Sequence, residues 1–148
     1  MWRFSRLTVL LLAIGILGCG SGGPRPLKLY PAQGTVTYKG KPVIDCVINL
    51  VPSNPSKEMQ EVGFTGTLDG DGKFQLKSST GKSGAAVGKY KVILGLSQDA
   101  AFKAMMSGGG KKSMEASSPF PKEYLSATTS KKEVEIEAKS NDLAIVLD

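Results

Sequence analysis

The two cysteines are the residues of this sequence best suited to covalent chemistry, because a thiolate is a strong nucleophile and can accept an acyl group. Cys19 follows an apolar run near the amino terminus, and Cys46 lies in a pattern typical of a β-strand. The chain has no histidine, so the commonest general base and the commonest zinc ligand are both missing. We therefore expect no catalytic residue, no metal site and no cofactor, and we predict that Cys46 is a buried structural thiol.

The segment before Cys19 combines the parts of an export signal. Arg3 and Arg6 supply the positive start, and Leu7 to Leu17 form an apolar stretch. The stretch has about 11 residues, whereas a helix needs roughly 20 to cross the hydrocarbon core. Its end, Ile16-Leu17-Gly18-Cys19, resembles the lipobox of bacterial lipoproteins, although Leu17 is bulkier than the usual residue at that position.

This resemblance implies cleavage after Gly18 and acylation of Cys19 with chains such as palmitate, so that residues 1–18 are a lipoprotein signal peptide. Two or three acyl chains give stable membrane attachment without a transmembrane helix. The alternative is an ordinary cleaved signal with a chance cysteine. Residues 19–32 are expected to be a lipidated flexible spacer, because Gly20 to Pro26 contain no side chain able to build a core.

The expected location is the cell envelope, with a lipid-anchored domain facing the periplasm or the exterior. The outer membrane is slightly favoured, because Gly20 stands where some bacteria place an aspartate that retains lipoproteins at the inner membrane. Nucleic acid is not an expected partner. No aromatic residues lie between or beside the lysine pairs Lys111-Lys112 and Lys131-Lys132, so these segments have no ring on which a base could stack.

From Gln33 onward the sequence predicts short strands and many turns. The Asp69-Gly70-Asp71-Gly72 turn is expected to join the third and fourth strands in a hairpin, and Asn141-Asp142 to join the last two. Calcium at the Asp-Gly turn is a weaker alternative, because further acidic ligands are missing. The predicted fold of residues 33–148 is all-β, a seven-stranded antiparallel β-sandwich with these strands: Gly34–Tyr38, Cys46–Val51, Val62–Leu68, Lys73–Lys77, Gly88–Leu96 (the central one), Lys132–Ala138 and Leu143–Leu147.

One long insertion, Gln98 to Ser118, interrupts this pattern. Asp99 to Met106 have the composition of two helical turns, which Gly108-Gly109-Gly110 would stop. An insertion of this length is either disordered or functional. A glycan partner would need exposed aromatic rings. Tyr30 and Tyr38 could supply such rings in addition to the candidate binding residues. The candidate binding residues are apolar side chains within or just after the insertion: Phe102, Met105, Met106, Phe120 and Tyr124.

The strand sequences resemble the carboxypeptidase regulatory-like, or transthyretin-like, domain of small bacterial lipoproteins. The matching motifs are Gly34 to Val43, Ile48 to Pro52, Asp71 to Phe74 and Gly88 to Val92, with Pro121 to Tyr124 and Asn141 to Leu143 near the end of the chain. The resemblance implies a sandwich of prealbumin-like topology, also describable as immunoglobulin-like. It does not imply an activity. The insertion and Cys46 depart from the pattern.

Three functional hypotheses follow. The first is a lipid-anchored, non-catalytic binding or structural module of the cell envelope, whose partners would be the membrane and an envelope protein or cell-wall polymer. The second is an accessory subunit that docks on a larger envelope complex through an edge strand or the long insertion. The third and most distant is a hydrolase, which would have to work without histidine.

Overall fold

The computed structural model describes residues 26–107 and 118–148 of the chain. Short strands separated by tight turns dominate both ranges, as the β-branched alternation and the glycines predict. The strands are β1 (Leu29–Tyr30), β2 (Ala32–Tyr38), β3 (Lys41–Pro42), β4 (Cys46–Pro52), β5 (Phe64–Thr67), β6 (Lys73–Gln75), β7 (Lys77–Ser78), β8 (Ala85–Ala86), β9 (Gly88–Leu96), β10 (Glu133–Ile136) and β11 (Asn141–Leu147). The helices are α1 (Lys57–Gln60), α2 (Gln98–Met106) and a 3-10 helix (Lys122–Leu125).

The strands form three open sheets. The largest has the order β10-β9-β4-β5-β7, the second has the order β11-β2-β3 with β6 also paired to β2, and the third is the pair β1-β8. The prediction of an all-β, mainly antiparallel domain is confirmed, and β9 lies between β4 and β10 as a central strand should. Lys39 and Gly40, which follow β2, have φ of 49° and 75°, as the residues of a tight turn between strands often do.

One pair of strands contradicts the antiparallel prediction. β11 runs parallel to β2 over seven residue pairs, from Asn141 opposite Ala32 to Leu147 opposite Tyr38. The predicted turn at Asn141-Asp142 is therefore wrong, because Asn141 is already the first residue of β11 and β11 does not pair with β10. The chain crosses between the two larger sheets at residues 137–140, which a hairpin would not require.

The Asp69-Gly72 turn is present, but the hairpin predicted around it is wrong. Asp69 N–H donates to Lys73 O at 2.9 Å, after which β6 leaves to pair with β2 while β5 pairs with β4 and β7. Phe74 and Leu76 still face the core. Buried and exposed residues alternate in the same way whichever sheet a strand joins. The sequence pattern therefore did not distinguish pairing of β6 with β5 from pairing of β6 with β2.

The folded domain also begins earlier than Gln33. Leu29 and Tyr30 pair with Ala86 and Ala85, and Ala32, which starts β2, is buried. Residues 29–32 therefore belong to the domain and not to the spacer. The apolar side chain of Leu29 packs against the core, which is why this short segment is held in place.

The core lies where the inward faces of the two larger sheets supply a single cluster of buried side chains. Tyr90, at its centre on β9, is fully buried, and its hydroxyl donates to Ala86 O at 2.7 Å. The ring of Phe64 meets it edge to face, with 5.7 Å between centroids. Lys89 and Lys91, which alternate with Tyr90, lie opposite Glu135 and Glu133 of β10 on the outer face.

Candidate functional site

Helix α2 occupies the first part of the predicted insertion, and its start is fixed by Ser97. Ser97 N–H donates to Asp45 O at 2.8 Å, which joins the end of β9 to the start of β4. Its Oγ accepts a hydrogen bond from Ala100 N–H at 3.3 Å and so satisfies one of the free amides of the first turn. The position of the helix is therefore set by the sheet below it.

Helix α2 turns its small side chains toward the domain and its large apolar side chains outward. A helix whose only role is to pack on the core would do the reverse. The small side chain of Ala104 is buried and those of Ala100 and Ala101 are partly buried. The three large apolar side chains lie in solvent, with exposed fractions of 64% for Phe102, 62% for Met105 and 73% for Met106.

These three residues form one continuous surface, because positions i, i+3 and i+4 share a face of a helix. Full burial of each such side chain would stabilise the fold by about 1.5–3 kcal/mol. The domain forgoes this contribution and leaves an apolar patch in water, which is a feature of interaction sites. We call the surface formed by Phe102, Met105 and Met106 the α2 face.

The other two candidate binding residues do not belong to this surface. Phe120 and Tyr124 are 4% and 2% exposed and are members of the core. Tyr124, in the 3-10 helix, accepts a hydrogen bond from Asp148 N–H through its hydroxyl at 3.4 Å, and burial raises the pKa of this phenol. Because their rings pack inward, neither residue offers a ring face to a ligand.

Two further aromatic residues were candidates for stacking on a glycan. Tyr30 and Tyr38 are half-buried. Lys28 Nζ lies 5.3 Å from the ring centroid of Tyr30, and Lys39 Nζ lies 5.1 Å from that of Tyr38. Each ring therefore has a lysine of this chain within cation–π distance.

The buried position predicted for Cys46 is confirmed. Its side chain is fully buried at the start of β4, and no disulfide involves it. Burial, with a smaller contribution from the neighbouring Asp45 carboxylate, raises the pKa of the Cys46 thiol to about 12. The thiol is protonated at neutral pH and out of reach of reagents, so it has neither the charge nor the access of a nucleophile.

The Asp-Gly turn is explained by its own hydrogen bonds. Asp69 Oδ1 accepts from the N–H groups of Asp71 and Lys73, both at 2.9 Å, and these bonds lower the pKa of the Asp69 carboxyl. Asp71 Oδ2 lies 3.4 Å from Lys73 Nζ. Within residues 26–107 and 118–148, no group of three or more acidic, cysteine or histidine side chains is placed to hold a metal ion.

Two shallow depressions on the described part of the surface were not predicted from the sequence. One, of about 380 Å³, lies between β4 and α1, and Met59 and Val62 are among its lining residues. The other, of about 270 Å³, is lined by Thr65, Gly66, Thr67, Gln75 and Lys77. The proline-bounded loop after β4 was the available signal for the first. Neither depression brings together the nucleophile and base that catalysis requires.

The α2 face lies far from the point where the chain enters the described domain. β1 pairs with β8, which ends two residues before Gly88, the first residue of β9. α2 begins two residues after Leu96, at the other end of β9. A strand of nine residues spans about 27 Å, so the start of β9, next to β8, and its end, before α2, lie about that far apart.

The predicted lipidation residue Cys19 and cleavage residue Gly18 lie outside the described residues. No helix in the described part of the chain is long and apolar enough to cross a membrane. Comparison of the chain with models of protein families, with curated proteins and with solved structures found no match.

Proposed function

We propose that this chain is a lipid-anchored, non-catalytic module of the cell envelope, a β-sandwich that holds the α2 face away from its own membrane. The observation that carries the proposal is the position of two features at opposite ends of β9. The chain comes from its amino-terminal segment at one end, and the α2 face lies at the other. A tether at the first end leaves the second free to face the aqueous compartment.

The sandwich is supported by two larger open sheets that share one core. Two layers around a common core are the usual way to bury one face of each sheet. β11 runs parallel to β2 and forms one edge of the second sheet. The proposed architecture is thus a sandwich with mixed pairing.

The anchor is supported by the lipobox-like residues and by the state of the second thiol. The chain contains two cysteines, and Cys46 is buried with a raised thiol pKa. A transferase that forms a thioether needs an accessible thiol, because the thiolate is the reacting species. Cys46 is not accessible to such a transferase in the folded domain, so Cys19 is the remaining thiol to which the lipid can be attached.

Metabolic labelling with a palmitate analogue in a bacterium that processes lipoproteins tests this proposal. Label should be incorporated into the full chain and into Cys46→Ala, and should be lost in Cys19→Ala. Mass spectrometry of the mature protein should find an amino terminus at Cys19 with acyl groups. An unlabelled chain that keeps Gly18 and a free thiol at Cys19 would contradict the proposal.

A further inference from the structure

We infer that the free edge of β11 pairs with the same edge of a second copy of this chain. β11 lies at one side of the sheet β11-β2-β3, and within residues 26–107 and 118–148 only β2 pairs with it. A strand in this position leaves a row of backbone N–H and C=O groups open to another strand. The inference goes beyond the proposed function, because the open edge is a different surface from the α2 face.

One hydrogen bond shows which groups of β11 point outward. Asn141 N–H donates to Pro31 O at 2.9 Å, on the side of β2. In a parallel pair, alternate residues of a strand turn both backbone groups toward the same neighbour. The odd-numbered residues of β11 therefore face β2, and the outward groups belong to Asp142, Ala144 and Val146.

The open edge ends at a definite residue. Asp148 N–H, the next amide in the outward direction, donates to the hydroxyl of Tyr124 at 3.4 Å. Three residues of β11 thus keep outward groups that are open to another strand, and Ala144 lies midway between the other two and at the centre of the strand. Two antiparallel copies related by a twofold axis through Ala144 meet this spacing.

Pairing about Ala144 uses all of the open groups. Ala144 lies opposite its own counterpart, and Asp142 lies opposite Val146 of the other copy, so three opposed pairs form with two hydrogen bonds each. A register shifted by two residues leaves only two such pairs. The central register also separates the two Asp142 carboxylates, and the alanines at the axis bring neither charge nor bulk.

The composition of β11 also favours pairing. β10, the edge strand of the largest sheet, carries Glu133 and Glu135, and charged side chains keep an edge from joining other strands. β11 has no lysine, proline or glycine, and Asp142 is its one charged residue. An unprotected edge of seven residues promotes open-ended association, whereas twofold pairing closes it.

The proposed anchor would strengthen this pairing, and in this respect alone the inference rests on the proposed function. One pair of strands is a small interface beside the roughly 800 Å² that a stable complex takes from each partner. Confinement to one membrane raises the effective concentration of the two copies. Their chains enter at opposite ends of the paired strands, about 20 Å apart. A ten-residue spacer, residues 19–28, reaches about 33 Å, so both anchors can lie in one membrane.

Disulfide trapping in the full chain tests the register. Ala144→Cys should give an intermolecular disulfide under mild oxidation, because the two positions lie directly opposite each other with about 5.5 Å between Cα atoms. Asp142→Cys and Val146→Cys are matched controls on the same exposed face, and each lies at least about 13 Å from its own counterpart. Cys46 is buried and does not compete. Peptide mass spectrometry should find position 144 linked to position 144.

A charge at the axis distinguishes a second copy from a strand of another protein. Ala144→Lys places two lysines opposite each other and should reduce energy transfer between labelled copies in phosphatidylcholine vesicles at least fivefold. Val146→Lys places its lysine opposite Asp142 of the other copy and should leave the transfer unchanged or increased. Both positions are exposed, so both variants should unfold at the midpoint of the parent chain.

Three results would each overturn the inference: no disulfide at position 144, equal trapping at positions 142, 144 and 146, or equal effects of the two lysine substitutions. A chain that carries palmitate on Cys19 and gives one of these results refutes the pairing and leaves the anchor in place. A chain without palmitate that is trapped only at position 144 refutes the anchor and leaves the pairing in place.

Discussion

Asn141 and Pro31 are joined by two hydrogen bonds across 110 residues of sequence. The backbone N–H of Asn141 donates to Pro31 O at 2.9 Å, and its side-chain Nδ2 lies 3.4 Å from the same oxygen. The Asn141 amide also holds the crossing between the sheets, since Oδ1 accepts from Glu137 N–H at 2.9 Å and Nδ2 donates to Lys139 O at 2.6 Å. One buried side chain thus connects the start of β2, the end of β10 and the start of β11.

Substitution of Asn141 should be among the most destabilising polar changes in the domain. Asn141→Ala removes the side-chain hydrogen bonds to Glu137, Lys139 and Pro31, and we expect a loss of about 2 kcal/mol in the free energy of unfolding. Asn141→Asp should cost more, because a carboxylate would face the oxygens of Pro31 and Lys139. Urea unfolding measures both, with the exposed neighbour Asp142→Ala as control. Equal midpoints for Asn141→Ala and Asp142→Ala would contradict this account.

Gly34 is required by the close approach of β2 and β11. A Cβ at position 34 would overlap the carbonyl of Leu143, the residue opposite it in the parallel pair. We expect Gly34→Ala to destabilise the domain by about 3 kcal/mol or more, because backbone must move. Gly95→Ala is the matched control, since a Cβ on Gly95 of β9 has no neighbour within 4 Å. A Gly34→Ala protein that unfolds at the same denaturant concentration as Gly95→Ala would disprove this reason for the glycine.

The cap of α2 should determine how firmly the α2 face is held. Ser97→Ala removes the acceptor for Ala100 N–H and should cost about 1 kcal/mol, most of it in local stability of the helix. Ser97→Asp retains an acceptor and should be close to neutral. Hydrogen exchange of the α2 amides should increase in Ser97→Ala while the amides of β9 change little. Faster exchange throughout the sheet would show instead that the cap supports the whole domain.

Two buried acids predict instability at alkaline pH. The thiol of Cys46 has its pKa raised from 9.0 to about 12, and the phenol of Tyr90 from 10.0 to about 12, both chiefly by burial. Above pH 9 the unfolded chain releases these protons while the native chain keeps them, so stability is complete below pH 9 and declines toward pH 12. Each group contributes a slope of at most about 1.4 kcal/mol per pH unit.

The contribution of the thiol is measured by comparing Cys46→Ala with the parent chain. The substitution should lower stability at every pH, because it leaves a small cavity, but the decline between pH 9 and pH 12 should be less steep. Denaturant unfolding at several pH values gives both quantities. Parallel stability curves for the two proteins would mean that the thiol titrates alike in the folded and unfolded chains.

The sequence predicted the positions of the longer strands better than their pairing. The alternation of Tyr90, Val92 and Leu94 defines a buried face, and β9 has that face in the structure. Pairing depends on which sheet a strand joins, and an inward face looks the same from either sheet. That is why β6 and β11 were assigned to the wrong neighbours, although Asp69 and Gly72 were correctly placed in a turn.

For the candidate site, composition identified the right helix but not the depth of each side chain. Phe102 and Phe120 are chemically alike, yet one lies in water and the other in the core. Helix α2 buries the small side chain of Ala104, and Phe102, two positions away on the helix, lies on the opposite side. Whether alanines or larger residues face inward depends on the space left by the sheet, which no local pattern specifies.

The seven parallel residue pairs between β2 and β11 give this domain a mechanical property. A force that draws the start of β2 along the strand axis, while the end of β11 is held, pulls β2 lengthwise against β11. All the hydrogen bonds of such a pair resist sliding together, whereas strands pulled apart sideways lose them one at a time. The two strands therefore resist a lengthwise pull far better than a sideways one.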